Sequence, residues 1–311
     1  MLNALPLFHV YGMTVGMNFG VLMGAKLVLL PNPRDIRALV NAVAEERVTL
    51  FPGVPTLYNA MNHFPGVEQM DVTSVKYCLS GSAPIAPEVL LRFERLTKAR
   101  IIEGYGLTET SPLTHANPLL RERKVGTIGL PMPDTDVRIV ALDDPARTVG
   151  PGVEGELVVH GPQVMQGYWK RPDETAATLS GGWMSTGDLA RVDEQGYFTI
   201  VGRKKEMINV SGLKVYPDEV DAVLLAHGTL LEAATIGLPD AKSGERVKSF
   251  VVRKPGILVD PAELERHCRA SLAPYKVPRE IEVVPDLPKS AALKILRREL
   301  RDRELAKLGR G

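Results

Sequence analysis

The stretch GRKKEMINVSGLKVYP, residues 202–217, separates regions of different patterning. A glycine and a basic turn (Arg203, Lys204, Lys205) lead into a strand-like run, and Pro217 suits the first position of a helix. Upstream, from Pro6 to about Glu109, strand-like runs at 26–30, 49–51, 75–80 and 100–103 alternate with helical stripes. Those stripes are Ile36, Leu39, Val40 and Val43, then 56–63, then Val89, Leu90, Phe93 and Leu96. Such alternation with short connections predicts βα units on a largely parallel sheet. Between Val125 and Val201, short β-rich runs at 137–140, 156–160 and 197–201 are broken by Gly and Pro, which predicts a small barrel or curled sheet. Downstream, strands at 210–216, 233–238 and 248–253 with helices starting near Pro217, Pro261 and Lys294 predict a small α+β unit. The expected fold class is therefore α/β: a parallel-sheet βα subdomain, a β-barrel-like subdomain, and a small α+β domain.

At 311 residues the chain is long enough for two or three units with cores of their own. Its formal net charge of +1 argues against a dominant polyanionic partner such as a nucleic acid. The basic residues near the end (Lys294, Arg297, Arg298, Arg301, Arg303) alternate with Glu299, Asp302 and Glu304, the pattern of a solvated helix face. Cys78 and Cys268 have no metal-ligand spacing, and their number fits a reducing, cytoplasmic setting. Residues 13–25 are apolar but too short to span a bilayer, so a helix buried against the sheet is expected there, with a peripheral membrane position the only membrane role left open.

Three loops carry the chemistry. Tyr105-Gly106-Leu107-Thr108-Glu109 offers an aromatic face for a purine, a hydroxyl for a phosphate oxygen, and a carboxylate for a hard cation. Ser185-Thr186-Gly187-Asp188 offers a carboxylate able to accept from both hydroxyls of a ribose. Gly202-Arg203-Lys204-Lys205-Glu206 adds a guanidinium. The bland alternatives are a capping Thr-Glu pair, an Asp in a turn, and a solvated basic turn. The order of a nucleotide-like inventory favours the ligand reading, and Gly81-Ser82-Ala83-Pro84 and the Tyr105 loop both fall at C-terminal strand ends, where parallel sheets bind ligands.

In this order and spacing the loops resemble the adenylate-forming superfamily of acyl-CoA synthetases, adenylation domains and luciferases, from Pro6 to the end of the chain. The 202–208 run and Val215-Tyr216-Pro217-Asp218-Glu219-Val220 look most like medium- to long-chain fatty acid–CoA ligases. The resemblance implies residues 1–203 as part of a large AMP-binding domain (1–124 and 125–203), a hinge at 204–206 centred on Lys205, and a mobile domain over 207–311. It implies that Gly81, Ser82, Ala83 and Pro84 line the adenine and acyl pocket with Tyr105 and Gly106. It puts His9 at the acyl pocket, Thr108 and Glu109 at the phosphates and Mg2+, Asp188 and Arg203 at the ribose, and Ser211 and Gly212 on a pantetheine tunnel. The run 288–298 (PKSAALKILRR) resembles the loop of the adenylation lysine. Lys294 takes that role, with Lys289 the alternative, and Leu293 stands where the family has glycine. The substrates implied are a carboxylic acid, ATP and CoA.

The superfamily's Ser/Thr/Gly-rich loop ending in lysine, which cradles the β- and γ-phosphates, has no equivalent in residues 1–311. The expectation is a fragment of a longer synthetase with an uncovered apolar surface. The competing expectations are a binding module for AMP or acyl-AMP without turnover, and one half of a split enzyme completed by a second chain.

Overall fold

The computed structural model describes residues 1–291 and 293–309; Ala292, Arg310 and Gly311 lie outside it. The chain divides into two compact units. Met1–Thr186 with Ala190–Ile200 forms the first, and Gly187–Leu189 with the chain from Val201 onward forms the second.

In the first unit, Leu50–Gly53, Tyr77–Ser80 and Arg100–Gly106 pair in parallel. Leu113–Ala116 and Leu130–Pro131 extend that sheet antiparallel. Helices Ile36–Glu45, Pro55–Asn62 and Pro87–Thr97 are the expected crossovers. Asp35 caps the first, accepting from Ala38 N at 2.9 Å, and proline occupies the first turn of the other two. Their apolar stripes meet the sheet through Phe51, Tyr58 and Phe93, whose ring centroids lie 4.9–6.2 Å apart. All three are fully buried, each stabilising the fold by about 2–3 kcal/mol through apolar area alone.

Two expectations here are corrected. The 26–30 run yields only Val28–Leu29, which pairs with Leu2–Asn3 in a separate two-stranded sheet. Residues 12–22 are helical, with a π-helical turn over Gly12–Asn18 followed by Phe19–Leu22, and the small residues Gly12, Gly16 and Gly20 are buried as expected, but the large apolar side chains are not. Phe8, Val21, Leu22 and Met23 are 63–82% exposed.

The β-rich region is a five-stranded sheet in the order Leu179–Ser180, Trp183–Val192, Gly155–His160, Asp136–Val140, with Phe198–Arg203 on Trp183–Val192. Helix Pro172–Thr178, unforeseen in the sequence, lies in the chain between strands Gly155–His160 and Leu179–Ser180, with Asp173 and Glu174 in its first turn.

In the second unit, the 210–216 run is a hairpin rather than one strand. Ile208–Val210 and Leu213–Val215 flank a turn whose residues, Ser211 (φ 54°) and Gly212 (φ 85°), are both left-handed. Leu230–Asp240 and Gly244–Arg253 form its long antiparallel pair, and Glu280–Val283 adds a parallel strand. Alternation along these strands sends Ala233, Val247 and Val251 to the face packed with Val220, Leu224, Leu264 and Cys268. The opposite face carries Ala234, Ile236 and Phe250 against Leu287 and Leu300. The last helix begins at Arg297, so Lys294 precedes it on a loop instead of lying on its surface. Cys78 and Cys268 are both buried free thiols. The architecture is α/β throughout, and no described helix is long and apolar enough to cross a membrane.

Candidate functional site

The site residues fall into two groups, one in each unit. In the first, the Arg100–Gly106 strand runs into the 106–112 turn. A side chain at Gly106 would meet Pro112 O at 1.6 Å, so only glycine lets the chain double back here. The turn is capped from within by Thr110, whose buried hydroxyl accepts from Leu107 N at 2.9 Å and donates to Pro112 O at 2.7 Å. The capping falls to Thr110, and Thr108 is left exposed with no hydrogen-bond partner for its hydroxyl among the described residues.

Glu109 is held on two sides by a segment whose role the sequence reading missed. Its carbonyl accepts from Met165 N at 2.8 Å. Its carboxylate Oε1 accepts from the Tyr168 hydroxyl at 2.8 Å. Burial first, then this hydrogen bond, raises the pKa of Tyr168, which therefore stays a donor. Tyr168 lies 59 residues from Glu109, and nothing local in the sequence marks the pairing. Tyr105 packs edge-on against His115 with centroids 5.9 Å apart. Burial lowers the pKa of His115 to about 3, so its ring is neutral.

One strand over, Ser80 pairs with Glu103, which places Gly81 beside the start of the same loop. Gly81 is buried, Ser82 is left-handed (φ 70°), and Ala83 and Pro84 are exposed. The half-buried His9 joins this neighbourhood through Tyr11. Tyr11 N donates to His9 Nδ1 at 3.2 Å, and the buried Tyr11 hydroxyl donates to the carbonyls of Leu79 and Gly53 at the ends of the two neighbouring strands.

In the second unit, Arg203 Nε lies 2.9 Å from Asp188 Oδ1. Asp188 is buried at 3% exposure while Arg203 keeps access to solvent. Lys294 is exposed, yet the surrounding protein and then the Arg203 guanidinium lower its pKa, with Asp188 and Glu206 pulling the other way. Lys294 therefore lies within electrostatic range of Asp188 and Arg203, although it is the farthest of the three along the chain. Lys289 is committed elsewhere, 2.8 Å from Glu232 Oε2 and in contact with Asp286. Leu293, immediately before Lys294, has φ 61°.

Lys205 lies exposed on the 204–206 turn, which closes through Glu206 N and Met207 N donating to Arg203 O at 3.0 Å. Ser211 and Gly212 cap the exposed hairpin, where Ser211 N donates to Ser243 O at 2.7 Å and Gly212 N to Asn209 Oδ1 at 2.8 Å. Among the described residues no cluster of three or more His, Cys, Asp or Glu could hold a metal by itself.

The chain thus joins a parallel sheet, with loops at its strand ends, to a small α+β unit that carries the lysine loop. The family follows from comparison: residues 1–169 match the family described as AMP-binding enzyme, more than half of the chain, and residues 219–294 match the AMP-binding enzyme C-terminal domain. The chain belongs to the AMP-binding enzyme family. It is 45% identical over 303 residues to the long-chain-fatty-acid–CoA ligase of Bacillus subtilis (strain 168), covering 97% of this chain and 54% of that one. The corresponding ligase of Yersinia pestis is 46% identical, with 97% and 53% covered. Among solved structures, the anthranilate CoA ligase AuaEII in complex with anthranoyl-AMP superposes with a TM-score of 0.92 at 30% identity, covering 99% of this chain and 60% of that one. The chain thus spans about half the length of the curated relatives it matches.

Proposed function

We propose that these residues belong to an ATP-dependent long-chain fatty acid–CoA ligase. The observation that carries this reading is the Asp188–Arg203 pair, with Lys294 within electrostatic range of it, and the names of the relatives narrow the acid to a long-chain one. In the first half-reaction a carboxylate oxygen attacks the α-phosphorus of ATP, the P–O bond to pyrophosphate breaks, and acyl-adenylate forms. In the second, the CoA sulfur attacks the acyl carbon, AMP leaves, and the thiol proton is released.

In this scheme Asp188 accepts from the ribose hydroxyls with Arg203 beside it. Thr108 donates to a phosphate oxygen. The Lys294 ammonium stabilises the charge that builds on the α-phosphate oxygens as the new bond forms. Glu109 fits a hard cation, since Tyr168 orients one carboxylate oxygen and the other has no hydrogen-bond partner among the described residues. A Mg2+ ion bound there would draw its remaining ligands from phosphate oxygens and water, and would offset charge on the phosphates. Lys205 serves as the hinge residue between domains 1–203 and 207–311, Ser211 and Gly212 border the thiol's path, and His9 with the 81–84 loop borders the acyl group and adenine.

Fatty-acid-dependent ATP–pyrophosphate exchange on this chain, with AMP binding and a thermal melt on the same sample, tests the reading. Residues 1–311 contain no phosphate cradle of the usual type, so the expected result is AMP binding with little exchange until a polypeptide supplying that cradle is added. A cooperatively melting sample that binds neither AMP nor acyl-AMP would overturn it.

A further inference from the structure

The lysine loop is a short hairpin closed on itself. Lys289 and Ile295 form an antiparallel bridge. Ser290 N donates to Lys294 O at 2.9 Å and Leu296 N to Pro288 O at 2.8 Å. Lys294 N donates to Ser290 Oγ at 3.2 Å. A two-legged turn of this size has no core of its own, so its direction is set by whatever holds the legs.

Each leg ends in a cation that points back into the unit. On the first, the Lys289 ammonium lies 2.8 Å from Glu232 Oε2, with both side chains under one-fifth exposed, and also contacts Asp286. On the second, Arg297 spreads its guanidinium over three carboxylates. Nη1 donates to Glu206 at 3.2 Å, and Nη2 donates to Asp221 at 2.6 Å and to Asp218. The planar fork suits this, because several acceptors can be met at once without losing the side chain's charge. Glu206 belongs to the turn that begins at Arg203, so Arg297 ties the lysine loop to the segment carrying the ribose-facing guanidinium.

We propose that Lys289 and Arg297 are positioning residues that clamp the two legs of the hairpin and hold Lys294 beside the Asp188–Arg203 pair. The three cations from Lys289 to Arg297 then divide the work: Lys289 and Arg297 are committed to carboxylates of the unit's own body, and Lys294 between them is presented. The clamp also accounts for how Leu293 can occupy a left-handed conformation, since a backbone kept from relaxing by both legs can retain local strain. The inference rests on the reading of Lys294 as the adenylating lysine, but its test needs no nucleotide and no turnover, so the two can fail separately.

The experiment is backbone amide exchange of the 286–298 peptide together with the pH profile of Lys294 acetylation by acetic anhydride, both read by mass spectrometry on the full chain. The groups acting on Lys294 are Arg203, Asp188, Glu206 and Arg297. The variants therefore leave those charges in place. K289M/E232Q removes the first leg's ion pair without stranding its partner, and Arg297→Lys keeps the charge but loses the fork. In either variant the amides of Ser290 and Leu296 are expected to exchange on the order of tenfold faster, the factor that a lost hydrogen bond to a charged group corresponds to. The Lys294 midpoint is expected to move up towards the ordinary lysine value. A variant that does not melt cooperatively is replaced by Asp286→Asn, which touches an exposed carboxylate and is read the same way with a smaller expected effect. Unchanged loop exchange and an unchanged Lys294 profile in well-folded variants would overturn the clamp.

Discussion

Arg203 Nε, at the end of one strand, sits 2.9 Å from Asp188 Oδ1, in the middle of the strand it pairs with. The two residues differ in burial, and that asymmetry governs what each substitution does. Asp188→Ala leaves a guanidinium that is nearly one-third exposed and can be resolvated, so the expected stability loss is about 1–2 kcal/mol. Arg203→Ala removes the cation beside a buried carboxylate, and the expected loss is larger, about 3 kcal/mol. Both should weaken AMP binding at least on the order of tenfold, since a hydrogen bond to a charged group is lost. Calorimetric titration with AMP and urea melts on the same samples check both statements; equal stability losses, or unchanged AMP affinity, would count against the assignment.

Lys294→Ala should abolish acyl-adenylate formation while leaving thioester formation from supplied acyl-adenylate largely intact, measured in a preparation competent for pyrophosphate exchange. Because the pKa of Lys294 is depressed, the folded chain binds its proton less tightly than the unfolded chain does. The charged side chain therefore costs stability below the lowered value, and that cost is relieved as pH rises from it towards 10.5. Adenylation dependent on the ammonium should fall over the same rise. A loss of both half-reactions to the same extent would point away from a role confined to the first.

Leu293→Gly tests the left-handed residue before the lysine. A non-glycine side chain at φ 61° costs roughly 1–2 kcal/mol, and glycine's greater freedom in the unfolded chain returns roughly 0.5–1 kcal/mol of that. The expected net effect is a stabilisation of about 0.5–1 kcal/mol with Lys294 still delivered. A denaturant midpoint that falls on introducing glycine would show that leucine's packing outweighs the strain.

Glu103 lies buried on the strand leading into the Tyr105 loop, where its Oε2 accepts from Gly126 N at 3.1 Å. Burial pushes its pKa up to about 7 from an ordinary 4.5. The folded chain then holds the proton more tightly, so this group's contribution is fully present below 4.5 and is lost as pH rises through about 7. Glu103→Gln should remove that dependence and stabilise the chain at pH 8 by on the order of 3 kcal/mol, with little effect at pH 4. Parallel urea melts at the two pH values decide it, and an equal change at both would mean that the carboxyl is not protonated in the fold.

The helices of the first unit were legible because their apolar residues repeat at helical spacing and their first turns carry proline or a capping aspartate. The parallel sheet followed from alternation with short connections. The 210–216 hairpin was less legible: a continuous β-prone run hides a turn whose only mark is Ser-Gly at the tip, and register depends on which partner strand is available. Lys294 was expected at a helix start because the charged pattern of 294–304 is continuous. The helix instead begins at Arg297, whose guanidinium is drawn to three carboxylates.

By itself the sequence determined which side chains are available for chemistry, their order, and the periodicities that select helix or strand, since these are local properties of the chain. Only the tertiary structure decided which groups meet, Tyr168 with Glu109 across 59 residues and Arg297 with Glu206 across 91, and that Lys294 lies within electrostatic range of the Asp188–Arg203 pair. It also left the apolar segment around Val21 to Met23 on the surface. The physical reason is that burial, charge partners and loop direction are set by what packs alongside a residue, and contacts of long sequence separation carry no local signature.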